Sequence, residues 1–153
     1  MPHALPSFPS EILLVEDNAG DVRLLREALK ECHLSSHLSV VRDGEQALAF
    51  LHRSGAYQKC PRPALILLDF NLPRKDGREV LAAIKQDDRL RGIPVIVLSS
   101  STQAGDIARA YDLHANCFIP KPSNLEQLVS IGRQIETFWL GTAVLPAASA
   151  AHR

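Results

Sequence analysis

Apolar runs rich in β-forming residues alternate five times with segments of helical period, and no other feature of this chain restricts its fold as much. The runs EILLVED, LSVVRD, ALILLDF, PVIVLSS and CFIPK are followed in turn by AGDVRLLREALKEC, GEQALAFLHRSG, DGREVLAAIKQ, AGDIARAYDLH and NLEQLVSIGRQIETFWL. Three of the runs, Ile12 to Val15, Ala64 to Leu68 and Pro94 to Leu98, are continuously apolar, as expected of parallel strands covered on both faces. Strands joined through helices become parallel neighbours by right-handed crossovers, so the expected fold is α/β, a doubly wound five-stranded parallel sheet with five helices. In the first helix Val22, Leu25 and Leu29 repeat at helical spacing, while Arg23, Arg26 and Lys30 fall largely elsewhere on the wheel. One face therefore packs on the sheet.

The ends differ from this middle. Residues 1–10 carry three prolines and residues 141–153 are small and weakly patterned, so the expected division is an N-terminal extension (1–10), one domain (11–140) and a flexible C-terminal tail (141–153). The longest irregular stretch, Ser54 to Pro63, joins the second helix to the third strand. Lys and Arg number 17 against 17 Asp and Glu, which argues against a general electrostatic grip on nucleic acid or an anionic membrane. No apolar run approaches the ~20 residues of a membrane span, and MPHALPSFPS has neither the basic nor the apolar region of an export signal. Cys32, Cys60 and Cys117 lack the spacing of a zinc site or a disulfide framework. A cytoplasmic, reduced protein is expected, with neither nucleic acid nor membrane as partner.

In an open parallel sheet ligands sit beyond the carboxyl ends of the strands, which makes those positions the informative ones. The first strand ends in Glu16 and Asp17, the third in Asp69, Phe70 and Asn71, the fourth in Ser99, and the fifth in Lys121 and Pro122. Three crowded carboxylates raise one another's pKa unless a cation lies among them. An all-oxygen set with few protein ligands suits Mg²⁺, which keeps several waters and takes carboxylates plus a phosphate oxygen. A carboxylate beside Mg²⁺ can be the nucleophile of phosphoryl transfer, with the Lys121 ammonium and Ser99 hydroxyl placed for the transferred oxygens. A reversible aspartyl phosphate on Asp69 is the natural product.

The blocks ILLVEDN, LILLDFNLPRKDG, IPVIVLSS and CFIPKP, in this order within residues 11–140, resemble those of the receiver domain of two-component response regulators. The resemblance implies the flavodoxin-like strand order 2-1-3-4-5. It makes Asp69 the phosphoacceptor, Asp17 a direct Mg²⁺ ligand, Glu16 a ligand mainly through a metal-bound water, and the Asn71 carbonyl a further ligand, with Mn²⁺ able to substitute. It makes Ser99 the switch hydroxyl, Lys121 the lysine that pairs with the phosphoryl group, and Phe118 the aromatic whose rotamer follows the switch. Lys121 and Pro122 match a pair usually joined by a cis peptide, an isomer that X–Pro bonds reach at low cost. Glu16 stands where Asp is usual and Ser99 where Thr is frequent. Asn71 and Ser101 occupy positions that tune the access of hydrolytic water.

The long loop ending YQKCPRPALILLD, the DFNLPRKDGREVL block and the ending IETFWL resemble a narrower group, the stand-alone regulators of bacterial phytochrome histidine kinases. This implies such a kinase as phosphodonor, a downstream protein the sequence does not name, and a homodimer through the fourth helix, fifth strand and fifth helix. In the last helix Leu125, Leu128, Ile131, Ile135 and Phe138 follow one stripe and are expected to pack on the sheet, leaving Val129, Trp139 and Leu140 off its centre. The single Trp is either a cover over the core edge or an interface anchor. The resemblance favours the interface, with Ala108, Tyr111, Trp139 and Leu140 as the candidate dimer face.

Each site residue also has a plainer reading. Strand-end acids are commonly solvated, Ser99 alone reads as a turn residue, Lys121 as a snorkelling surface lysine, and Phe118 as a half-buried core aromatic. Asp76 and Gly77 read as a turn and helix start, Asp as the cap and Gly for its unusual dihedrals. His3, His33, His37, His52, His114 and His152 are scattered and none is expected to be phosphorylated. Cys117 reads as core edge, Cys32 as a helix end and Cys60 as a loop thiol. Three rival functions each lack something they need. A haloacid-dehalogenase-like phosphohydrolase needs a second Asp two residues after the nucleophile, where this chain has Asn71. A flavodoxin-like electron carrier needs a hydroxyl-rich phosphate loop, where it has Asn18, Ala19 and Gly20. A DNA-binding regulator needs a second domain of roughly 60 residues or more. The expected function is a phosphoacceptor that catalyses only its own phosphorylation and dephosphorylation, not an enzyme acting on outside substrates.

Overall fold

The computed structural model describes residues 10–30 and 36–146. Cys32, His3, His33, His152 and the greater part of both extensions lie outside the described residues. The strands are β1 (Ser10–Val15), β2 (Ser36–Val41), β3 (Leu65–Asp69), β4 (Val95–Ser99) and β5 (Cys117–Pro120). The helices are α1 (Ala19–Lys30), α2 (Gly44–Leu51), α3 (Gly77–Gln86), α4 (Ala104–Asp112) and α5 (Leu125–Ile135). All strand pairs are parallel and the order is β2-β1-β3-β4-β5, the flavodoxin-like arrangement expected from the sequence.

The continuous apolar runs serve two cores at once. Successive strand side chains point to opposite faces. Leu13, Val15, Ile66, Leu68, Val95 and Val97 therefore join the core under α2, α3 and α4. Ile12, Leu14, Leu65, Leu67, Ile96 and Leu98 join the core under α1 and α5. Each such side chain contributes about 1.5–3 kcal/mol when fully buried. A polar substitution at any of these twelve positions has no solvated face to turn to.

The starts of α2, α3 and α5 are capped by side chains. Asp43 accepts from Gln46 N, Asp76 from Arg78 N and Asn124 from Gln127 N. Gly77 corrects the reading of its position: among the described residues the only glycine with a left-handed φ is Gly55. What requires glycine at 77 is space, because a Cβ there would lie 2.3 Å from the Asp69 carbonyl oxygen and 2.5 Å from Phe70 Cα. The backbone of α3 thus presses directly on the strand end that carries Asp69. Across the other core, Gly132 lets α5 close on α1, where a Cβ would meet Ala28 Cβ at 2.7 Å.

The last helix departs from expectation. α5 passes into a π-helical segment, Glu136–Thr142, in which Ala143 N donates to Phe138 O at 2.7 Å. Leu128 and Ile135 are buried and Ile131 partly so, but Phe138 is 53% exposed, while Trp139 and Leu140 pack against the α1–α5 core. The wider π winding turns less per residue than an α-helix. Phe138 therefore falls short of the sheet-facing side and Leu140 swings onto it. Leu125, in the first turn of α5, is 54% exposed.

Among the described residues no helix is long and apolar enough to cross a membrane.

Candidate functional site

The chain leaves β1 for the edge strand β2 and returns to β3 on the other side of β1, so the crevice between β1 and β3 is where the winding reverses. Glu16 and Asp17 follow β1 there and Asp69 ends β3. One carboxylate oxygen from each of Glu16, Asp17 and Asp69 lies within 4.8 Å of the others. Glu16 and Asp69 are buried and Asp17 is exposed. Asn71 N donates to Asp69 Oδ1 at 3.1 Å, and Asn18 N to Glu16 Oε2 at 3.3 Å, so both buried carboxylates are aimed by local backbone.

Lys121, after β5, crosses to this cluster. Its ammonium pairs with Glu16, with Asp21 at 3.0 Å and with Asp69 Oδ2 at 3.4 Å. The expected cis bond is corrected: no peptide bond among the described residues is cis, so Lys121–Pro122 is trans. Trans is the cheaper isomer by about 0.5–1 kcal/mol, and Lys121 N donates to Ser99 O at 2.7 Å while the side chain still reaches the site.

The electrostatics are those of a site short of positive charge. Burial, reinforced by Asp69's charge, raises the Glu16 carboxyl from 4.5 to about 7 even though the Lys121 hydrogen bond lowers it. Burial alone would lower the Lys121 ammonium. Its hydrogen bond to Glu16 and the charges of Asp69 and Glu16 outweigh that and raise it. An all-oxygen donor set, two of whose carboxylates are buried and one of which resists ionisation, fits a hard divalent cation.

Ser99 is fully buried at the end of β4, its Oγ accepting from Ser101 N at 3.2 Å. Phe118 is buried in β5, its ring edge-on to that of Phe70 with centroids 6.2 Å apart. Ser101 turns its hydroxyl to Asp106 on α4. Of the candidate dimer face, Ala108 and Tyr111 are exposed on α4, and Trp139 and Leu140 are half-buried. Tyr111 Oη also accepts from Phe118 N at 3.1 Å.

Two groups escaped the sequence reading. Asp21, in the first turn of α1, is a third carboxylate at Lys121; its place five residues after Glu16 was the available signal. Arg78 and Asp106 form a 2.7 Å ion pair across 28 residues, which no local pattern announces.

Acidic residues and a lysine converge at the winding reversal of a 2-1-3-4-5 sheet, and residues 12–133 match the response regulator receiver domain. The chain belongs to that family. It is 51% identical over 140 residues to the response regulator Rcp1 of Synechocystis sp., covering 92% of this chain and 95% of that protein. Its fold superposes on a crystal structure of the phosphorylated cyanobacterial phytochrome response regulator RcpA with a TM-score of 0.89, at 53% identity over 92% of this chain and 100% of the other. The Mn²⁺-bound form of Rcp1 is similar at a TM-score of 0.88 and 51% identity, over 91% and 100% of the two chains.

Proposed function

We propose that this chain takes a phosphoryl group from a histidine kinase onto Asp69 and relays the signal through its α4, β5 and α5 face. The observation that carries this reading is the Lys121 ammonium held among Glu16, Asp21 and Asp69. An Asp69 carboxylate oxygen attacks phosphorus, a P–O bond forms, and the P–N bond to the donor imidazole breaks with the imidazole keeping the electron pair and taking up a proton. Lys121 pairs with the new phosphoryl oxygens, and Ser99 turns to donate its hydroxyl to them. Asn71 N steadies Asp69 throughout. Glu16, Asp17, Asp69 and the Asn71 carbonyl are the residues that would hold Mg²⁺, or Mn²⁺ in its place. When bound, the cation supplies positive charge that offsets the crowded carboxylates and the incoming phosphoryl group.

The likeness to RcpA, a phytochrome response regulator, supports a phytochrome as the kinase. A cytoplasmic setting and signalling to a further protein belong to the same reading. A homodimer through Ala108, Tyr111, Trp139 and Leu140 belongs to the same reading. So does the tuning of phosphate lifetime by Asn71 and Ser101. Asn71 cannot serve as a general acid, so the phosphohydrolase alternative lacks its second acid. Acetyl phosphate with Mg²⁺ should add one acid-stable, base-labile phosphoryl group, seen by intact mass. Asp69→Asn should abolish it, and unchanged labelling of that variant refutes the assignment.

A further inference from the structure

Arg78, the second residue of α3, makes contacts in three directions. Its guanidinium lies 4.7 Å above the Phe70 ring, its Nη1 donates to the neighbouring Asp76 at 3.1 and 3.2 Å, and its Nη2 donates to Asp106 Oδ1 at 2.7 Å. Asp106 stands in the first turn of α4 and takes the Ser101 hydroxyl on its other oxygen. Ser101 N in turn donates to Ser99 Oγ. A run of direct bonds therefore ties the start of α3 to the start of α4, to the loop after β4, and to the Ser99 hydroxyl. On its other side Arg78 bears on Phe70, whose ring meets Phe118.

We propose that Arg78 and Asp106 are a positioning pair that latches the loop after β4 in the place seen here, and so sets how readily Ser99 turns toward a phosphoryl group on Asp69. This rests on the receiver reading above. Ser101 N holds Ser99 Oγ at 3.2 Å, so a shift of the Ser99 hydroxyl is coupled to the loop. The loop cannot follow without drawing Ser101 from Asp106, or Asp106 from Arg78. The pair is charge-assisted and only about a quarter exposed, which makes it stronger than an open surface bridge. The bond to Asp106 is also the chief influence raising the Arg78 guanidinium, and hydrogen bonds from Ser101 and Arg78 hold Asp106 below the usual carboxylate range. Asp76 alone leaves α3 satisfied locally, whereas Asp106 joins α3 to α4.

The test is titration with beryllofluoride, a mimic of the acyl phosphate, in saturating Mg²⁺. Asp106→Asn, Arg78→Ala and Ser101→Ala should each bind it about three- to tenfold more tightly than the natural sequence. Their affinity for Mg²⁺ alone should not change, and the charge exchange Arg78→Asp with Asp106→Arg should return toward the starting value. Ser101→Ala leaves both charges in place, so it answers even if an ion-pair variant folds poorly. Folded variants that bind beryllofluoride no better, or that shift Mg²⁺ affinity by the same factor, overturn the latch. A natural sequence that binds no beryllofluoride refutes the phosphoacceptor reading itself, a different and distinguishable result.

Discussion

Glu16→Gln in cation-free protein should raise stability at pH 8 and leave it nearly unaltered at pH 5. Glu16 is 1% exposed, and its carboxyl sits at about 7 rather than 4.5, chiefly through burial. Lys121's attraction is already within that balance, so loss of solvation plus Asp69's charge outweigh it. A carboxyl raised on folding binds more protons in the native than in the unfolded chain between the two values. Stability is then greatest below about 4.5 and declines as pH rises through about 7. At ~1.4 kcal/mol per pH unit the full penalty above pH 7 is ~3 kcal/mol. Because Asp69 and Lys121 respond to the same proton, a gain of ~1–3 kcal/mol is expected for Gln at pH 8. Glutamine keeps an acceptor for Lys121 and Asn18 N without the charge. Urea unfolding in chelator at both pH values measures the difference, and Mg²⁺ at pH 8 should then favour the natural protein, which keeps the carboxylate. A Gln variant no more stable than the natural protein at pH 8 would refute the assignment of Glu16 as a strained buried acid.

Gly77→Ala should cost about 1–3 kcal/mol in urea unfolding, since the added methyl meets the Asp69 and Phe70 backbone and has nowhere to rotate; an unchanged midpoint would show that the close approach is not fixed. Sedimentation at micromolar concentration should give a dimer that Tyr111→Ala weakens, Tyr111 being 49% exposed on α4. A natural protein that stays monomeric with and without phosphorylation rejects that surface.

Strands, helices, parallel pairing and the strand-end residues Glu16, Asp17, Asp69, Ser99 and Lys121 were all readable along the chain. The reason is that period, strand continuity and position at a strand end are local properties, and an open parallel sheet gathers its strand ends at one edge. The capping role of Asp76 was readable for the same reason. The purpose of Gly77 was not, because it depends on how closely α3 approaches β3. The turn of Phe138 to solvent was not either, since a helix changes its winding when the wider turn lets later side chains, here Trp139 and Leu140, reach a core. Asp21 beside Lys121 and Arg78 beside Asp106 arise from packing between elements distant in the chain. The order of residues thus specified the elements and the chemistry at one edge of the sheet. Which charges meet, and which hydroxyl is tied to which helix, came from close packing in three dimensions, where neighbours are set by volume and direction rather than by spacing.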